Sequence, residues 1–199
     1  MSVLVGKEAP AFTAQAVMPD GSFKELSLSD YRGKDVVLFF YPLDFTFVCP
    51  SEIIAFHNRV EDFKSRNCEV IGVSVDSHFT HHAWRSTPVE NGGIGEIGYP
   101  LVADLTKDIA RNYDVLVGEG TVAFRGLFLI DKEGVVRHQV VNDLPLGRNV
   151  DEAIRMVDAL QFHEANGEVC PAGWNKGQAG MTPNAEGVAS YLAENASSL

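Results

Sequence analysis

Two cysteine–proline dipeptides hold the side chains with the most chemical potential. The first lies in "FFYPLDFTFVCPSE" (Phe39 to Glu52), where Cys49 and Pro50 stand between an apolar, strand-like run and a helix-like one. The second lies in "GEVCPAGW", at Cys170 and Pro171. A cysteine in the first turn of a helix meets unpaired backbone N–H groups and the positive end of the helix dipole, and both favour thiolate over thiol. Pro50 suits that turn, where its missing N–H costs nothing and its fixed φ is already helical. The same position also admits a buried, inert thiol, and position alone leaves both readings open.

Ionisation does not by itself make a catalyst. A more acidic thiol is ionised more often at neutral pH, but its intrinsic nucleophilicity falls with a Brønsted slope of about 0.4–0.5, so the two effects nearly offset. The site must also stabilise charge developing on the electrophile. Thr46, three residues before Cys49, brings a hydroxyl within reach of the sulfur or of a small substrate. Pro42, Phe45 and Phe47 are placed to shield the sulfur from bulk water. Two cations are available: Arg125 in "AFRGLFLID", just before a buried strand, and Arg148 in "LPLGRN", beside a capped helix.

Cys170 lies in a stretch rich in Gly, Pro, Ala and Asn, far from any regular element. Such a stretch is a poor place for a packing cysteine and a good place for a thiol that must travel. A sulfenic acid condenses readily with a second thiol, and Cys170 could supply it, from the same chain or a neighbour. The alternative is an incidental surface cysteine. Cys68, in "SRNCEVIGV", leads into a strand and reads as a small core residue.

The elements that must position these groups follow from hydrophobic patterning. "VVLFFY" (36–41) and "EVIGVSVD" (69–76) read as strands buried on both faces. Between them Ile53, Phe56, Val60 and Phe63 recur at helical spacing after Cys49. "SHFTHHAWR" reads as a short helix, and "LVAD" with "TKDIARNYDV" repeats the strand-then-helix order. "GLFLID" and "VVRHQVVN", split by "KEG", form a hairpin. Asn149 and Glu152 have capping-box spacing and open an amphipathic helix on Val150, Ala153, Ile154, Val157 and Leu160, ending near Asn166 and Gly167. The order predicts a three-layer α/β domain over 1–165, a central mixed sheet flanked by helices. Residues 166–199 form an arm with a short helix near "AEGVASYLAEN".

Bulk properties set outer limits. The 199 residues suffice for one well-buried domain with an appended arm, and 45% of them are hydrophobic. A net charge of −11 argues against a protein built to hold nucleic acid or anionic lipid. No apolar run approaches the roughly 18 residues of a membrane span, and the N-terminus lacks the pattern of a signal peptide. The expectation is a cytoplasmic protein. Three scattered cysteines without a C-x-x-C pair disfavour a disulfide scaffold and tetrahedral zinc. "GIGEIG" (93–98) fits G-x-G-x-x-G but lacks the preceding strand and following helix of a dinucleotide site. His78, His81 and His82 share a helical face, where packing or solvated histidines are expected rather than a metal site. No cofactor or metal is expected.

Taken together, "YPLDFTFVCPSE" resembles the proline–threonine–cysteine motif of peroxiredoxins. "GEVCPAGW" resembles the resolving-cysteine segment of their typical two-cysteine class, which includes alkyl hydroperoxide reductase C-type proteins. "SVDSHFTHHAW", "GGIG", "AFRGLFLID" and "NDLPLGRNVDE" extend the resemblance along nearly the whole chain. It implies a thioredoxin-like fold and an antioxidant peroxidase acting on hydrogen peroxide and organic hydroperoxides. Cys49 would be the peroxidatic cysteine, with Pro42, Thr46 and Arg125 completing the peroxide pocket and Glu52 and Arg148 in the supporting polar network. Cys170 would resolve across a dimer interface in an intersubunit disulfide with Cys49. The resemblance further implies a homodimer assembling into a ring-shaped decamer, reduced by thioredoxin or a flavoprotein disulfide reductase. Its other implied role is that of a holdase chaperone in high-order assemblies. One departure concerns overoxidation: sensitive members carry Gly-Gly-Leu-Gly and a C-terminal Tyr-Phe pair, where this chain has Gly92-Gly93-Ile94-Gly95 and Tyr191-Leu192.

Overall fold

The computed structural model describes residues 2–198. The chain divides into two compact units, Met1–Val150 and Asp151–Leu199.

The first unit is built on a seven-stranded sheet in the order β2 (Phe23–Ser27), β1 (Thr13–Val17), β5 (Leu101–Ala103), β4 (Cys68–Ser74), β3 (Asp35–Phe40), β6 (Arg125–Ile130) and β7 (Val136–Asn142). β3 (Asp35–Phe40) is an interior strand, and every residue of it is buried, as a continuous apolar run predicts for a strand covered on both faces. β3 pairs in parallel with β4 (Cys68–Ser74), from Asp35 opposite Cys68 to Phe40 opposite Val73. The crossover between them carries α1 (Cys49–Asn58) and α2 (Val60–Lys64). The helical period of Ile53, Phe56, Val60 and Phe63 runs through both helices, and all four residues are buried. The ladder breaks only at Arg59, where φ is −113° and ψ 9°.

α3 (His78–Ser86) returns the chain to β5 (Leu101–Ala103), parallel to β4. The Ser77 hydroxyl caps α3 by accepting from Thr80 N at 3.1 Å. A short α4 (Asp108–Asn112) precedes the hairpin of β6 (Arg125–Ile130) and β7 (Val136–Asn142), whose first strand lies antiparallel to β3. The core of this unit gathers Leu38, Phe40, Ile71, Val73, Tyr113 and Phe128, among others, around the central strands.

One pair of strands stands outside the predicted order. β1 (Thr13–Val17) and β2 (Phe23–Ser27) form an antiparallel hairpin that extends the sheet beyond β5. The connecting "PDGS" is an Asx-type turn: Asp20 Oδ1 accepts from Ser22 N at 3.0 Å, and Gly21 takes φ +83°.

The second unit contains α5 (Val150–Asn166) and α6 (Ala185–Asn195). On α5 the predicted stripe is buried at Val150, Ala153, Ile154 and Val157 and half-buried at Leu160. Gly167, with φ +69°, follows its last residue. The α6 segment is the short helix expected of "AEGVASYLAEN", capped by Asn184. No helix among the described residues is long and apolar enough to cross a membrane.

Candidate active site

Cys49 is the first residue of α1, with Pro50 behind it, and its side chain is fully buried. The sulfur is not sealed in hydrocarbon. Arg125 Nη1 donates to Cys49 Sγ at 3.5 Å, from the first residue of β6. The same nitrogen donates to Glu52 Oε2 at 2.6 Å, and Arg125 Nε donates to the Leu144 carbonyl at 2.7 Å. Glu52 sits one turn along α1 from Cys49, so helical periodicity brings sulfur and carboxylate to one face.

Arg148 completes the cluster from the segment after β7. Its Nε and Nη2 fork onto Glu52 at 2.8 and 3.0 Å, and its backbone N–H adds a third bond to Glu52 Oε1 at 2.9 Å. Nη1 donates to the carbonyls of Phe40 and Gly126, and the guanidinium lies 5.2 Å over the Phe39 ring. All three charged side chains are at most 4% exposed. Burial works against each charge, and the partners answer it. For Glu52, hydrogen bonds and attraction from Arg148, joined by Arg125, outweigh burial and hold the carboxyl below its ordinary range. For Arg125, bonds to Cys49 and Glu52 outweigh burial and reinforce its charge.

Pro42 is buried at the end of β3, and the loop from there to α1 carries Thr46. Thr46 Oγ1 donates to the Leu43 carbonyl at 2.8 Å, which leaves the oxygen's lone pairs to accept. The structure thus brings Cys49, Glu52, Arg125 and Arg148 into one bonded cluster, and holds Thr46 and Pro42 in the loop leading to it. Two shielding residues require correction: Phe47 is 96% exposed and Phe45 53% exposed, so neither ring covers the sulfur. Phe45 has φ +53°, and its ring turns toward Trp84 at 5.7 Å instead.

Beneath this loop lies a polar network that apolar patterning did not reveal. Asp44 Oδ1 accepts from Tyr41 Oη at 2.9 Å, and Asp44 Oδ2 pairs with His81 Nδ1 at 2.7 Å, all buried. The Asp44 backbone N–H donates to Asp76 at 2.9 Å. The available signal was an aspartate four residues past the end of a buried strand and a histidine on the apolar side of α3. His81 is therefore a packed histidine, while His82 is exposed.

The other two thiols differ from Cys49. Burial, with Asp35 nearby, pushes the Cys68 thiol far up, as befits an inert core residue. Cys170 is half-buried, and the segment holding it is better anchored than the sequence suggests. Val169 and Met181 exchange both backbone hydrogen bonds at 2.9 Å, and Trp174 is 3% exposed with its ring 4.8 Å from Phe162. The two aromatics, twelve residues apart in sequence, give this stretch a small core of its own.

Residues 5–139 match the AhpC/TSA family, and residues 159–194, which include Cys170, match the C-terminal domain of 1-Cys peroxiredoxin. The chain is 58% identical to mouse Peroxiredoxin-2 over 190 residues, with 96% of each chain covered. It is 55% identical to chicken Peroxiredoxin-1 over the same length and coverage. A reduced 2-Cys peroxiredoxin from Plasmodium vivax superposes with a TM-score of 0.94 at 52% identity, covering 96% of this chain and all of that one. A mitochondrial 2-Cys peroxiredoxin from Plasmodium falciparum gives 0.81 at 50% identity, over 84% and 100%. Fold and relatives together define the class, a thiol peroxidase on a thioredoxin-like fold. Within that class the chain belongs to the AhpC/TSA family.

Proposed function

We propose that Cys49 is the peroxidatic residue of this thiol peroxidase, and that Arg125 is the group that makes it effective. The observation carrying this reading is the 3.5 Å contact from Arg125 Nη1 to Cys49 Sγ inside a charge-unbalanced cluster. Two guanidiniums face one carboxylate, and the surplus positive charge lies against the sulfur. An ionised Cys49 balances the cluster, which matters where desolvation makes unpaired charge expensive.

In this scheme the sulfur attacks the outer oxygen of a hydroperoxide. The S–O bond forms as the O–O bond breaks, and the proton lost when Cys49 ionised neutralises the departing alkoxide or hydroxide. Arg125 stabilises first the thiolate and then the charge spreading over the breaking bond. Thr46, with its own proton committed to Leu43, accepts the peroxide O–H and orients it, and Pro42 walls the pocket. Glu52 and Arg148 hold Arg125 in place.

Cys170 then condenses with the Cys49 sulfenic acid, water leaves, and an external dithiol resets the pair. The resolving cysteine comes from a second copy, so the working unit is a homo-oligomer, a dimer that builds a ring of five such dimers. Support for a second working cysteine comes from the likeness to solved 2-Cys peroxiredoxins, one of which covers 96% of this chain. The reductant is a thioredoxin or a flavoprotein disulfide reductase, and the compartment is the cytoplasm. Residues 1–165 act as the peroxidase domain and 166–199 as the arm.

The test is to mix reduced protein with one equivalent of hydrogen peroxide, then to separate it without reductant and map the peptides. A dimer linked through Cys49 and Cys170 is expected. A chain that stays monomeric, or is linked through Cys68, would overturn the pairing.

A further inference from the structure

The stretch from Cys170 to Trp174 is tied to α5 at both ends. At one end the Cys170 thiol donates to the Ala159 carbonyl at 3.4 Å. At the other, Arg155 Nη1 donates to the Trp174 carbonyl at 2.9 Å. Arg155 lies one turn before Ala159, so both anchors are on one face of the helix. The guanidinium is itself fixed: Nε and Nη2 fork onto Glu152 at 2.6 and 2.7 Å, and Nη2 touches the Met156 sulfur at 3.3 Å. A side chain braced this way loses little freedom when it acts on a neighbour.

Arg155 also acts on the sulfur through its field. Burial pushes the Cys170 thiol up, and the guanidinium opposes that push. The other titratable groups around the turn are Glu152, Asp158 with Lys176 at 3.3 Å, Glu168, and His163, whose ring bonds the Glu168 carbonyl. Arg155 is the cation anchored to the same turn as Cys170, one helical turn before the Ala159 carbonyl that accepts from the thiol.

We infer that Arg155 is the positioning residue of the resolving step: it clamps the Cys170–Trp174 turn and holds positive charge beside the sulfur as that sulfur becomes a nucleophile. The inference rests on the reading of Cys170 as the resolving thiol. In the step itself Cys170 gives up the proton directed at Ala159, its sulfur bonds to the Cys49 sulfur, and the Cys49 S–O bond breaks. The hydroxide released takes up that proton and leaves as water. No further oxidant or reductant is required.

The test uses the full-length protein as wild type, Arg155→Met and Arg155→Lys. Two quantities are read: the pH midpoint for alkylation of Cys170 in the reduced protein, followed by mass spectrometry of its peptide, and the rate of disulfide formation after a peroxide pulse. Arg155→Met should move the alkylation midpoint upward and leave the earlier oxidation of Cys49 unchanged. Each tenfold loss of thiolate is partly offset by greater nucleophilicity, so disulfide formation should slow by about threefold per tenfold lost. Arg155→Lys keeps the charge and loses the fork, and should recover most of the midpoint.

An unmoved midpoint in Arg155→Met would overturn the inference. So would equal midpoints in the methionine and lysine variants, which would mark the contact as structural only. The alkylation profile does not depend on Cys170 being the resolving thiol. If the wild type forms no Cys49–Cys170 disulfide, that assignment fails on its own, and if the disulfide forms while the midpoint stays put, only this inference fails.

Discussion

Because Glu52 follows Cys49 by one turn of α1, its carboxylate holds both guanidiniums, Arg125 at 2.6 Å and Arg148 at 2.8 Å. Removing one partner from a buried ion cluster leaves uncompensated charge and costs about 3–5 kcal/mol. Burial alone would raise the Glu52 carboxyl, but Arg148 and Arg125 outweigh it and hold it below its ordinary value. A group depressed in the folded state stabilises fully above its unfolded value, and that contribution is lost as pH falls through the folded one. The thermal stability of the reduced protein should therefore begin to fall below about pH 4.3, the ordinary value for glutamate. Glu52→Gln should melt lower at neutral pH and show a shallower acid limb. Parallel melting curves for the two proteins across that range would contradict this role. At this scale the sequence was informative for Cys49 and its two arginines, because reactive or charged residues beside apolar runs are conspicuous. It misled for Phe45 and Phe47, since nothing in a one-dimensional pattern tells which way a ring in a loop will turn.

At the scale of elements, the site depends on how α1 is seated on the sheet. Phe56, fully buried, stacks on Phe39 of β3 with centroids 4.5 Å apart and planes 12° apart. Tyr99 Oη donates to the Ile53 carbonyl at 2.7 Å and secures the same helix. Phe56→Ala removes the largest of these contacts and should cost about 3–5 kcal/mol. That loss should appear as a lower urea midpoint with an unchanged slope. A midpoint within error of wild type would mean that α1 is held by other contacts. The strands and helices that position Cys49 were legible because each has one dominant period: continuous apolar for β3 and β4, helical for α1 and α2. The β1–β2 hairpin was missed although "PDGS" is a turn signal. Its strands are short and largely exposed, so their alternation is faint. The order around Cys170 was missed for another reason: Trp174 and Phe162 form their contact across a helix end, where no periodicity links them.

At the scale of the whole molecule, a net charge of −11 contrasts with a buried cluster of two arginines and one glutamate that carries a positive surplus. A small neutral peroxide would need no long-range steering, so under the proposed scheme the surface charge is free to serve solubility. Composition gave no hint of that local inversion, because three buried residues barely weigh in a chain of this length. Residues 125 and 148 lie far from 49 in sequence, and only the pairing of β6 with β3 brings the first of them to the sulfur. In the proposed scheme one sulfur, at residue 49, is oxidised because Arg125 stands against it. The most direct measurement is a rapid-mixing reaction of reduced Cys170→Ser protein with hydrogen peroxide, trapping sulfenic acid with a dimedone-type reagent and locating it by mass. One peroxide should be consumed per chain, with the adduct on Cys49 and a rate about 10²–10³-fold lower when Arg125→Met is added. An adduct on Cys68, or an undiminished rate without the guanidinium, would contradict the scheme.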